Sequence, residues 1–183
     1  MAAPWPLWMT NSFLSATQPQ FANDESAYYG PYNRLLYHLF GIEGPFEIIP
    51  QHYTPLSSRD AIDVVRFTVE FNNHPVLFIG VKPASYFLLD SNRKQADDQM
   101  RDSFRELRAN LVTPRLPAIS AFGTRIAFYE YIAATKAVTP PAIFLNDMAP
   151  ADRWNYDILE ADGIARMRQV VQDVKAMCQA LDD

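Results

Sequence analysis

The residues of this chain best equipped for chemistry lie on one predicted β-hairpin. Asp63 precedes the run Val64-Val65-Arg66-Phe67-Thr68-Val69-Glu70-Phe71, a turn at Asn72-Asn73-His74-Pro75 follows, and Val76-Leu77-Phe78-Ile79-Gly80-Val81-Lys82 returns. A carboxylate therefore stands at the start of the hairpin and an ammonium at its end. Side chains alternate along a strand, so positions 80 and 82 share a face. Gly80 leaves its place on that face empty, and a strand glycine gives room for a ligand or another backbone. The expected walls are aromatic: Tyr28, Tyr29 and Tyr32 from the preceding helix, Phe78, then Tyr86 and Phe87, and later Phe128 and Tyr129. A concave, mostly apolar site with a few polar groups suits a small molecule, and Lys82 and the tyrosine hydroxyls supply such groups. The competing reading of each aromatic is plain core packing.

Other residue types give weaker signals. His38, His52 and His74 are scattered, and their spacing matches no zinc site. The six glycines are dispersed and form no phosphate loop. Ser57, Ser58 and Ser120 have no nucleophile-elbow context. Arg93, Lys94, Arg101, Arg105 and Arg108 make one basic stretch, but Asp97, Asp98, Asp102 and Glu106 interleave with it. That pattern reads as a solvated, salt-bridged face rather than a phosphate-tracking groove.

The elements that must position these groups follow from periodicity. Residues 1–23 show no clean period and read as an irregular arm, held against the domain by Trp5, Leu7, Trp8, Met9 and Phe13. From Asp24 a helix carries Tyr28, Tyr29, Tyr32, Leu35, Leu36, Leu39 and Phe40 on one side and stops at Gly41. Phe46 to Tyr53 is a strand, and the hairpin follows. A second helix from about Ser91 has the stripe Ala96, Met100, Phe104, Leu107 and Leu111 and ends before Pro114. Leu116 to Phe122 and Arg125 to Ala133 are strands around a Gly123-Thr124 turn. A last helix runs from roughly Ile158 to Leu181. The order α-β-β-β-α-β-β-α predicts one α/β domain over residues 24–183, with a mixed sheet flanked by helices on both faces.

Composition bounds the partners. The chain has 183 residues, 49% hydrophobic, and a formal net charge of -5. That is enough chain for one substantial core, and the acidic balance disfavours nucleic acid. Cys178 is the only cysteine, so no intrachain disulfide can form. No apolar run approaches the roughly 20 residues of a membrane helix, and no signal peptide is evident. These features predict an intracellular, cytoplasmic protein that does not engage a membrane.

The hairpin resembles the core of the PD-(D/E)XK nuclease-like superfamily, in which an Asp on one strand and an acid-x-Lys on the next hold a divalent metal. The resemblance extends roughly from Ser26 to Leu181. After Lys82 comes a helix bearing Gln, here Gln95-Ala96-Asp97-Asp98-Gln99-Met100-Arg101, and then a strand, a Gly-x-Arg turn and an aromatic strand, here Ile119 to Tyr129. Val81-Lys82-Pro83 and the Ala-Asp-x-Gln-Met-Arg helix are similar to those of a fungal group. The resemblance implies a restriction-endonuclease-like fold, with Asp63 as metal ligand and Lys82 orienting the attacking water or stabilising negative charge. The second acid would stand at position 80, which is Gly80.

Magnesium sites commonly use only one or two protein carboxylates, so the loss of one is severe. Glu25 on the first helix, or Asp60, could replace it. The sequence thus predicts a non-catalytic small-molecule-binding protein, its ligand apolar and of an aromatic or pigment type, with Tyr28, Tyr29, Tyr32, Phe78, Gly80, Lys82, Tyr86, Gln99, Phe128 and Tyr129 forming the site. No cofactor is required. The alternatives are a magnesium-dependent nuclease using Asp63, Glu25 and Lys82, and a protein-interaction module.

Overall fold

The computed structural model describes residues 3–53, 64–143 and 149–182; Asp60 and Asp63 lie outside them. The described residues form helix α1 (Leu7–Ala16), helix α2 (Tyr29–Phe40), strands β1 (Phe46–Tyr53), β2 (Val64–Phe71) and β3 (His74–Lys82), helix α3 (Asp90–Leu107), strands β4 (Arg115–Phe122), β5 (Arg125–Ile132), β6 (Ala137–Thr139) and β7 (Tyr156–Asp157), and helix α4 (Ala161–Asp182). One sheet runs β1-β2-β3-β4-β5-β6, with β7 paired to β5. Every pairing is antiparallel except β3 with β4. A parallel pair needs a crossover connection, and α3 provides it.

Local chemistry fixes the joints. The β2–β3 turn uses two residues, Asn72 and Asn73, both with positive φ (50° and 64°). Asparagine tolerates that region, and such turns match the twist of the strands. His74, expected in the turn, belongs to β3 instead, and its Nδ1 lies 2.8 Å from the Asn110 carbonyl oxygen. Asp24 caps the short 3₁₀ turn before α2 by accepting from the Ser26 amide at 2.9 Å. Gly123, with φ of 60°, turns β4 into β5; a Cβ there would lie 2.8 Å from the Ala84 Cβ and 2.9 Å from the Tyr28 hydroxyl. Only glycine fits that approach.

Alternation sorts the side chains into two layers. Val65, Phe67, Val69, Ile79, Val81, Ile119, Ala121 and Ile126 pack with α1, α2 and α4. Phe78, Leu116, Ala118, Phe122, Ala127 and Tyr129 pack with Ala96, Met100 and Phe104 of α3 and with Trp154. The protein is therefore a mixed α/β fold with a mostly antiparallel sheet and helices on both faces, as the element order predicts.

Three elements escaped the sequence pattern. The arm expected to be irregular contains α1, which buries Met9, Phe13 and Ala16, while Trp5 donates its Nε1 proton to the Ile158 carbonyl at 2.6 Å. Leu7, Trp8 and Leu14 stay exposed on the same helix, so apolar residues surround it and no single stripe marks it. Strands β6 and β7 are three and two residues long, too short for periodicity to register. No helix among the described residues is long and apolar enough to cross a membrane.

Candidate functional site

Strand register aligns Gln51 on β1, Arg66 on β2, Gly80 on β3 and Ser120 on β4 as neighbours across the sheet. Lys82 is one step further along the same face. Gln99, Met100 and Ser103 of α3 line the other side of this interface. Arg66, Lys82, Gln99, Ser103 and Ser120 are all buried, an unusual concentration of polar groups inside a core.

Part of this layer is satisfied. The Arg66 guanidinium donates to both carboxylate oxygens of Glu106, at 3.0 and 2.9 Å, and to Gln51 Oε1 at 3.1 and 2.6 Å. Hydrogen bonding from Arg66 holds the Glu106 carboxyl below its usual value. Trp154 Nε1 donates to Ser120 Oγ at 3.2 Å. By contrast, Lys82 Nζ, both amide atoms of Gln99 and Thr68 Oγ1 have no hydrogen-bond partner among the described residues. Each such buried group costs about 1–3 kcal/mol. Burial lowers the Lys82 amine to about 8, while the negative charge of Glu25 pulls the other way. Gly80, Lys82 and Gln99 thus line one small cavity, and Glu25 stands close enough to act on Lys82 electrostatically.

The space beside Gly80 is closed. A Cβ built there would lie 3.4 Å from Met100 Sδ, and the cavity between them is about 10 Å³, room for about one water. Methionine is unbranched and flexible and fills irregular gaps; here it occupies the side that a second acid would need. The described residues do not fit a magnesium ion: Gly80 offers no oxygen, a thioether is a poor ligand for a hard cation, and no group of three or more metal-ligating side chains assembles among them.

The remaining expected site residues are divided by the sheet. Tyr28 and Tyr32 pack on the α2 side, where the Tyr32 hydroxyl donates to the Gly123 carbonyl at 2.7 Å. Phe128 also faces that side, edge-on to Tyr156 at 5.3 Å. Tyr129, one residue on, faces α3, and its hydroxyl donates to Asp97 Oδ1 at 2.9 Å. Adjacent strand residues point to opposite faces, so the Phe128 and Tyr129 side chains pack in different layers. Asp97 is buried and is also held by Arg101 at 2.9 Å and Arg153 at 2.5 Å. This cluster joins α3 to β5 and to the turn before Trp154. Phe78 lies in the α3-side core and Tyr86 packs partly against it.

Tyr29 sits elsewhere, in a groove that pattern reading missed. Tyr29, Gly30 and Asn33 of α2 face Pro50, Gln51 and His52 of β1 and Val65 and Phe67 of β2 across a cavity of about 360 Å³. A Cβ added to Gly30 would meet nothing within 4 Å. Tyr29 stands edge-on to Phe67, 6.3 Å between ring centroids. The sequence signals that could have found it are Gly30 within a helical pattern and Pro50 within a strand, where proline marks an edge.

The chain matches no family model, no curated protein and no solved structure.

Proposed function

We propose that this chain is a non-catalytic small-molecule-binding protein on a degenerate PD-(D/E)XK-like scaffold, with an apolar ligand held in the groove between α2 and the β1 edge. The groove carries the reading. Its volume of about 360 Å³ falls within the range of small-molecule sites, roughly 300–1,000 Å³. Pro50, Val65, Phe67 and the Tyr29 ring give it apolar walls, and Asn33, Gln51 and His52 add a few polar groups.

The scaffold reading is supported by the strand order, by Lys82 at the end of β3, and by Gln99 against it on the crossover helix. The absence of catalysis is supported by the Gly80–Met100 contact, which leaves no oxygen and no room where a second acid would act. Plugging the groove tests the proposal. Gly30→Trp places an indole in open space, so the variant should fold and should purify without the ligand mass that the unaltered protein sheds on denaturation. Retention of the same mass by the variant would remove the groove as the site.

A further inference from the structure

We infer that a second pocket, between the C-terminal half of α3 and strands β5 and β6, binds a small organic phosphate: a phosphate head on a compact apolar body. Arg101, Arg105 and Arg108 line it from α3, Lys136 from the β5–β6 turn, and Phe104, Tyr131, Val138 and Pro141 give it an apolar floor. The three arginines lie four and three residues apart, on one side of the helix. The cavity is about 330 Å³.

The charges of α3 explain why this end is cationic on a chain of net charge -5. Each carboxylate of the helix is already engaged. Asp90 pairs with Arg93 and Asp98 with Lys94. Asp97 is shared by Arg101 and Arg153, so one carboxylate answers two guanidinium groups. Asp102 pairs with Arg105, and Glu106 is drawn away by Arg66. Arg108 and Lys136 have no ion-pair partner among the described residues. Of the four cations at the pocket, Arg105 is offset by Asp102 and Arg101 shares Asp97 with Arg153, so Arg108 and Lys136 leave an excess of positive charge at a concave surface. Arginine forks match phosphate geometry, and the apolar floor beneath them favours an organic body over a bare ion.

Adenosine 5′-monophosphate is a suitable probe, with adenosine and inorganic phosphate as its two halves, titrated calorimetrically into the full chain. The expected result is saturable binding of the monophosphate, weakened about tenfold or more in an Arg108→Ala/Lys136→Asn double variant, the loss expected for charged hydrogen bonds. Neither side chain has an ion-pair partner among the described residues, and asparagine tolerates the positive φ of 56° at position 136. Binding should also weaken as salt rises and persist in Gly30→Trp, which separates this site from the α2–β1 groove. Three results would overturn the inference: no saturable binding at millimolar probe, equal binding by the double variant, or inorganic phosphate binding as tightly as the monophosphate.

Discussion

Met100 of α3 places its sulfur 3.4 Å from the point where Gly80 would carry a Cβ. The contact allows one methyl group and little more. Gly80→Ala should therefore change stability by less than about 1 kcal/mol, since alanine is the better strand residue and meets only ordinary contact. Gly80→Glu should cost about 3 kcal/mol or more, by overpacking and by burying a charge. Urea unfolding of Gly80→Glu with and without Met100→Ala checks this account: the methionine truncation should recover part of the glutamate penalty, and strictly additive losses would contradict it.

Lys82 makes stability depend on pH. Its amine titrates near 8 in the folded chain against an ordinary 10.5. Below pH 8 both folded and unfolded forms are protonated, and the cost of burying the charge is fully present. Between pH 8 and 10.5 the unfolded chain binds more protons, so stability rises with pH; above 10.5 the cost is gone. Lys82→Met should stabilise the protein by a few kcal/mol at pH 7 and flatten the rise between pH 8 and 9.5. Parallel unfolding curves for the two proteins across that interval would show that Lys82 is not the source.

Asp97 and Asp102 are both paired with arginine on α3, but only Asp97 is buried with its partners. Removing the Asp97 carboxylate leaves Arg101 and Arg153 uncompensated, so Asp97→Ala should cost about 3–5 kcal/mol. Asp102→Ala should cost less than about 1 kcal/mol. Thermal or chemical denaturation separates the two readily.

Two glycines should respond unequally. Gly30 has open space around it but precedes Pro31, whose ring disfavours a helical residue with a Cβ before it, so Gly30→Ala should change stability by less than about 1 kcal/mol. Gly123 has a positive φ and close neighbours, so Gly123→Ala should destabilise by about 1–3 kcal/mol. Equal effects would contradict the geometry at both sites.

The hairpin, α3 and the β4–β5 unit were legible because alternation and a single apolar stripe marked them. So was the shared face of Gly80 and Lys82, since strand parity imposes it. The single aromatic cleft was not a sound expectation, because Phe128 and Tyr129 face opposite sides of the sheet and the tyrosines of α2 lie beyond it. Sequence shows that Gly80 lacks a side chain; it does not show that Met100 arrives from α3 to take the space. The α2–β1 groove arises from three segments distant in sequence, and only Gly30 and Pro50 hinted at it.

The most direct measurement is the native mass of protein purified from its source, compared with its mass after denaturation, together with its visible absorbance. A native mass exceeding the chain by that of a small molecule, lost on denaturation, is the expected result. Identical masses and a colourless protein would contradict it.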